Sequence, residues 1–193
     1  DYIDSFGFEV SALSGELGGF GDSATVDERI SRTRAMLDLC VTLRAPNLTV
    51  DAGPLAQSGS RAYDLHADAV RDLGQYAMEH NVRLALTTGT EPFAQLVAFI
   101  AHVKSEGLRI NHDPAELCRH GFDPIADLKA NVRFVSHAQA RDAARGEVLS
   151  SGEERPLTKG DAQIEEIIAI VRDGGYDGFL SVAWDRDEDL AKN

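Results

Sequence analysis

The side chains best suited to chemistry stand at the ends of short apolar runs. Asn111-His112-Asp113-Pro114 closes one run with a carboxylate, and Thr87-Thr88-Gly89 closes another with hydroxyls. In Ser136-His137-Ala138-Gln139-Ala140-Arg141-Asp142, alternation by two puts His137, Gln139 and Arg141 on one face of a strand. A further run ends in Val182-Ala183-Trp184-Asp185. Carboxylate, imidazole, amide and hydroxyl groups so placed can ligate a cation or exchange hydrogen bonds with a polar molecule. Each residue also has a plainer role: Asp113-Pro114 as a turn, His137 as a satisfied polar group, Arg141-Asp142 as a loop ion pair, Trp184 as a core cap. His66, His80, His102 and His120 are expected in solvent.

Composition narrows the partners. A net charge of -13 over 193 residues repels polyanions, so neither nucleic acid nor an anionic membrane surface is an expected partner. Cys40 and Cys118 form no CxxC or CxxH pattern, which argues against a zinc site or a disulfide framework and for a reducing, cytoplasmic setting. No run approaches the roughly 20 apolar residues of a membrane span.

The elements that must position these residues alternate. Strand candidates are Phe6 to Leu13, Asn47 to Asp51, Val82 to Thr87, Leu108 to His112, Val132 to Ala138 and Gly178 to Ala183. Between them, helical periodicity puts Val26, Ile30, Leu37 and Val41 on one face, as it does Leu65, Ala69, Leu73 and Ala77, and Ile164, Ile167, Ile168 and Val171. Thr25 with Glu28 has capping-box spacing, Asp161 is a candidate cap for the last helix, and Gly174-Gly175 ends it. Strands each followed by a helix imply parallel pairing and an α/β fold, either a doubly wound sheet or a barrel. The glycine-rich run Gly15 to Gly21 departs from G-x-G-x-x-G and reads as a strand-helix loop.

Seven segments in order carry a resemblance: Phe8 to Gly15, Leu37 to Cys40, Leu84 to Glu91, Ile110 to Ala115, Gly121 to Pro124, Ser136 to Asp142 and Gly175 to Leu180. Together they resemble the sugar phosphate isomerase/epimerase family, the xylose isomerase-like TIM barrels. The resemblance implies one (β/α)8 barrel domain over residues 1–193. The six strands would be its third to eighth, so that either two N-terminal strand-helix units lie outside this sequence or another chain covers the gap.

The resemblance further implies a divalent metal (Mn, Mg, Zn or Co) held by Glu, Asp, His and Glu on the fifth to eighth strands. It implies proton transfer next to a carbonyl of a sugar, sugar phosphate or cyclitol. Here those positions read Thr87, Asp113, Gln139 and Ala183, so one ligand of four matches and both carboxylate bases are replaced. The resemblance thus leaves Asp113 as the candidate metal ligand, with His137, Gln139 and Asp185 as helpers. It also implies a small polyhydroxylated molecule bound by His137, Gln139 and Thr87, with Arg141, at the position of its basic residue, on an anionic or hydroxylated group and Trp184 stacked on a sugar ring. Two functions stay open: an isomerase or epimerase with a degenerate metal site, and a non-catalytic relative that binds carbohydrate or stabilises a partner. A homo-oligomer fits either. The loop after the seventh strand carries Thr158-Lys159-Gly160-Asp161 where the resemblance implies Gly-x-Gly-Asp, and could fold over a ligand.

Overall fold

The computed structural model of the protein describes residues 4–15, 19–147 and 151–183; Trp184 and Asp185 lie outside them. Six strands form one parallel sheet: β1 (Leu13–Gly15), β2 (Asn47–Val50), β3 (Arg83–Thr87), β4 (Leu108–His112), β5 (Val135–Ala140) and β8 (Leu180–Val182), in that spatial order. Helices α1 (Val26–Leu43), α2 (Arg61–Glu79), α3 (Phe93–Val103), α4 (Pro114–Arg119), α5 (Leu128–Asn131) and α6 (Ile164–Asp173) occupy the connections. A two-stranded antiparallel ribbon, β6 (Asp142–Ala143) with β7 (Glu154–Arg155), follows β5. The sheet curls into part of a (β/α)8 barrel, so far that Ser11 beside β1 and Ser181 on β8 meet, Oγ to Oγ, at 3.3 Å.

Residue alternation sorts the two faces. Leu48, Val50, Leu84, Leu86, Leu108 and Ile110 point outward and are buried under the helices, while their neighbours Thr49, Thr87 and Asn111 face the concave side. The helices supply the matching surface through Leu37, Val70, Leu73, Leu96 and Ile167. At roughly 1.5 to 3 kcal/mol for each fully buried large aliphatic, this outer layer is the main source of stability, which lets the inner face be polar.

Several expectations shift. The first strand is Leu13–Gly15 and not Phe6 to Leu13, because Leu13 pairs with Leu48 and earlier residues lie beyond the start of β2 at Asn47, just after Pro46. Phe6 and Phe8 are exposed, stacked at 6.2 Å. Val132 to Phe134 forms a 3-10 turn, so β5 starts and ends later than expected. Val41 is exposed; Thr33 and Cys40 share the buried stripe of α1 with Val26 and Leu37. The Thr25 capping box does not form, since Asp22 accepts from Ala24 N–H and the Thr25 hydroxyl instead. Gln163 precedes α6 as its cap residue, and Asp161 accepts from Arg145 N–H. Both cysteines are buried and free, and no helix of the described residues is long and apolar enough to cross a membrane.

His66 also departs from expectation, being 1 % exposed between Phe20 and Phe99. His112, on the outward face of β4, stands edge-on to Phe93 at 5.6 Å, and neither ring nitrogen finds a hydrogen-bond partner among the described residues. Burial lowers both imidazoles to about 4 from the usual 6.5. The unfolded chain therefore takes up these protons first as pH falls, so the stability each neutral ring gives is complete above about pH 6.5 and lost toward pH 4, about 3 kcal/mol per ring. Urea midpoints measured from pH 7 to 4 should fall along this window, and more shallowly in His66→Leu and His112→Leu. An unchanged slope in both variants contradicts the assignment.

Candidate functional site

At the C-terminal ends of the strands lies a cavity of about 480 Å³, within the range of small-molecule sites, about 300–1,000 Å³. Thr49, Thr87, Thr88 and Thr90 bring hydroxyls to it, and Asn111 and Gln139 bring amides. Asp51, Asp113, Glu116, His120 and Arg141 complete the charged and titratable part of its wall.

Below the cavity a neutral belt crosses the barrel. Asn111 Nδ2 donates to Thr87 Oγ1 at 3.1 Å, and Asn111 Oδ1 pairs with His137 Nδ1 at 2.8 Å. His137 Nε2 pairs with Ser181 Oγ at 2.9 Å. With the Asn111 amide so assigned, His137 carries its proton on Nδ1 and accepts from Ser181 on Nε2. Burial lowers the His137 imidazole further below neutrality, consistent with an uncharged ring. Both ring nitrogens are committed, and His137 lies under the cavity without lining it.

Asp113 is built into the framework. It is 1 % exposed and caps α4, its Oδ1 accepting from Glu116 N–H at 3.1 Å, with Pro114 opening the helix. Its backbone N–H donates to Thr88 Oγ1 at 2.9 Å, and the Thr88 hydroxyl donates back to its carbonyl at 3.1 Å, locking the ends of β3 and β4 together. Asp113 Oδ2 accepts from Arg141 Nη1 at 2.7 Å. The same guanidinium donates from Nε to Glu154 Oε1 at 3.0 Å and lies 3.7 Å from Glu116 Oε1. Burial pushes the Asp113 carboxyl up, opposed by the charge of Arg141. Burial alone would lower Arg141, but its bond to Glu154 and the charges of Asp113 and Glu154 raise it, so the guanidinium stays protonated.

The expected loop pair Arg141-Asp142 does not form. Asp142 instead accepts from the backbone N–H groups of Ala143, Gly160 and Ala162 at 2.8 to 3.0 Å, which pins the segment after β7 onto β6. Gly160 is required there, since a Cβ would collide with Asp142 Oδ1 and the Ala143 carbonyl. Thr158, at the position where the resemblance implies glycine, has φ +69, a region that costs a β-branched residue about 1–2 kcal/mol. Thr158→Gly should therefore raise stability by about 1 kcal/mol in urea unfolding, offset in part by glycine's extra unfolded-state entropy; a loss would contradict the strain.

Thr87, Gln139, Arg141 and Asp113 thus reach one cavity, His137 lies beneath it, and Trp184 and Asp185 fall outside the described residues. Asp51 and Glu116 went unnoticed in the sequence, and His120, expected in solvent, is exposed on the cavity wall. Asp51 had a signal, standing two residues past inward-facing Thr49. Glu154 had none, because the register Ala143↔Glu154 of the ribbon brings it to Arg141. Glu91, beside the start of α3, is 7 % exposed and its carboxyl is pushed up by burial.

These residues do not fit the cation site that the resemblance implies. The Asp113 carboxylate is paired with Arg141 and caps α4, both His137 nitrogens are bonded, Thr87 replaces a carboxylate by a neutral hydroxyl, and Ala183 offers no donor. No group of three or more His, Cys, Asp or Glu among the described residues is arranged to hold a metal ion.

The family model for xylose isomerase-like TIM barrels matches residues 1–193, and the chain belongs to that family. A xylose isomerase domain protein from Planctomyces limnophilus superimposes with a TM-score of 0.87 at 25% identity, over 95% of this chain and 73% of that one. A xylose isomerase-like TIM barrel protein from Mycobacterium smegmatis in complex with magnesium gives 0.78 at 18% identity, over 96% of this chain and 70% of that one. An L-ribulose 3-epimerase gives 0.74 at 18% identity, over 96% of this chain and 65% of that one. No curated protein matches the sequence.

Proposed function

We propose that the cavity at the strand ends binds a small, uncharged polyhydroxylated molecule of the sugar or cyclitol class. The observation that carries this reading is the wall itself: hydroxyls of Thr49, Thr87, Thr88 and Thr90 and amides of Asn111 and Gln139 surround a space of monosaccharide scale. The Thr49, Thr88 and Thr90 hydroxyls donate within the protein and keep lone pairs to accept from a polyol, while Thr87 and Gln139 can also donate to it. The ionised groups argue for an uncharged ligand. Asp51, Asp113 and Glu116 line the cavity against Arg141, which is already bound to Asp113 and Glu154, so a sugar phosphate would meet net repulsion. Family membership and the likeness to an epimerase of a ketose support the same class.

Calorimetry against free pentoses, hexoses and inositols and their phosphate esters, in EDTA, tests the reading. An uncharged member should bind with a Kd of about 1 mM or tighter, and its phosphate at least about tenfold more weakly. Thr87→Val, which removes one hydrogen bond, should weaken binding about fivefold, some 1 kcal/mol. Preference for the phosphate, or no binding across the panel, sinks it.

Asp51 favours a catalytic version of this reading. Its carboxylate follows β2 on the cavity wall and accepts from Gly53 N–H at 2.7 Å. A carboxylate so located can take a proton from a carbon beside a carbonyl, the step isomerases and epimerases share. Incubation of a bound ketose in D2O should then show deuterium at that carbon by NMR, lost in Asp51→Asn. Binding without exchange leaves a carbohydrate-binding module.

A further inference from the structure

A buried acid stands one residue behind the cavity wall. Thr90 lines the cavity, and Glu91, the next residue, is buried beside it. The Thr90 hydroxyl donates to Glu91 Oε2 at 2.5 Å, and the same carboxylate accepts from the Leu55 backbone N–H. Leu55 belongs to the loop that begins at Asp51 and leads into α2, so Glu91 ties that loop to the one between β3 and α3. The charged groups that face Glu91 are Asp51 and His120, both on the cavity wall. We propose, resting on the catalytic reading of Asp51, that Thr90 and Glu91 form a proton relay in which Glu91 protonates the carbonyl oxygen of a bound ketose through the Thr90 hydroxyl.

The relay supplies the half of the proton transfer that Asp51 leaves open. When Asp51 takes the C–H proton, the C–H electron pair becomes a C=C bond and the carbonyl π pair moves onto oxygen. That oxygen then takes the Thr90 proton, and Thr90 takes one from Glu91. The products are a neutral enediol, protonated Asp51 and ionised Glu91, and the reverse transfers restore all three groups. A hydroxyl can do this because it donates and accepts at once.

The settings of the two acids support the division of roles. Asp51 is exposed and Glu91 is buried, and paired carboxylates in unlike surroundings separate into a base and an acid. Burial pushes the Glu91 carboxyl up and the charge of Asp51 acts the same way, against the opposing bonds from Thr90 and Leu55 and the charge of His120. With Glu91 ionised, Thr90 donates to it and offers a ligand only a lone pair. With Glu91 protonated, that bond reverses and Thr90 donates into the cavity.

The test is deuterium exchange into free ketopentoses and ketohexoses in D2O, followed by NMR, on the full chain, Glu91→Gln, Thr90→Val and Thr90→Ser. Calorimetry gives each Kd and circular dichroism checks folding. Glu91→Gln and Thr90→Val should each slow exchange at least about 100-fold. Glu91→Gln should change the ketose Kd less than about threefold, and Thr90→Ser should keep most of the exchange. Native exchange should fall as pH rises through the Glu91 titration, and Glu91→Gln should lose that fall. In the ligand-free chain, the Glu91 carboxyl followed by ¹³C NMR should titrate above its ordinary 4.5. Native-rate exchange in folded Glu91→Gln, or in Thr90→Val if the first variant does not fold, overturns the relay and leaves Asp51 as a base. Titration of Glu91 at or below 4.5 overturns it whether or not a ketose binds. No exchange by the native chain removes the catalytic reading of Asp51, and the relay with it.

Discussion

The ion pair between Asp113 and Arg141, extended to Glu154, fixes four pieces of chain that sheet pairing alone only brings near one another. It joins the end of β4 and the start of α4 to the end of β5, and through β7 to the ribbon that overhangs them. Burying such charges costs several kcal/mol per ion, recovered only when each is paired with good geometry; removing one partner then costs about 3–5 kcal/mol. The pair is therefore less a source of net stability than a constraint on arrangement. While it holds, the strand ends keep the spacing that defines the cavity, and each Asp113 oxygen accepts a hydrogen bond from within the framework.

The polar lining is tolerable for a related reason. A barrel interior with Thr49, Thr87, Asn111 and His137 on neighbouring strands would be expensive if those groups were unpaired. From Thr87 through Asn111, His137 and Ser181 to Ser11 the side chains satisfy one another instead, without a charge, and the Thr49 hydroxyl donates to the Leu13 carbonyl. The apolar layer between sheet and helices carries the stability; the inner face is left to specify what enters.

Sequence reading reached the architecture because both faces of the sheet write themselves into alternation: Leu84 and Leu86 outward, Thr87 at the mouth, then a helix. Family membership rests on ordered segments along the whole chain. Boundaries were less legible, because the first strand depends on where its neighbour begins and not on the apolar character of Phe6 to Val10. Helix caps were misjudged where a nearer competitor won, as Asp22 did over Thr25. At the site, the convergence of Thr87, Asp113, Gln139 and Arg141 follows from their ending neighbouring strands on one face. Their pairing does not, because Glu154 arrives by a ribbon whose register no local pattern records. His66 shows the same limit: its helix position suits solvent or core, and only the rings of Phe20 and Phe99 decide it.

The account holds that the ion pair of Arg141 with Asp113 and Glu154 fixes the mouth of this barrel around a cavity whose neutral lining receives an uncharged polyol. A crystal structure of the full chain grown with a polyol that binds in calorimetry tests it most directly. The account predicts the polyol at the strand ends, bonded to Thr87 and Gln139, with Arg141 Nη1 still bonded to Asp113. A polyol bound elsewhere, or Arg141 turned away from Asp113, would contradict it.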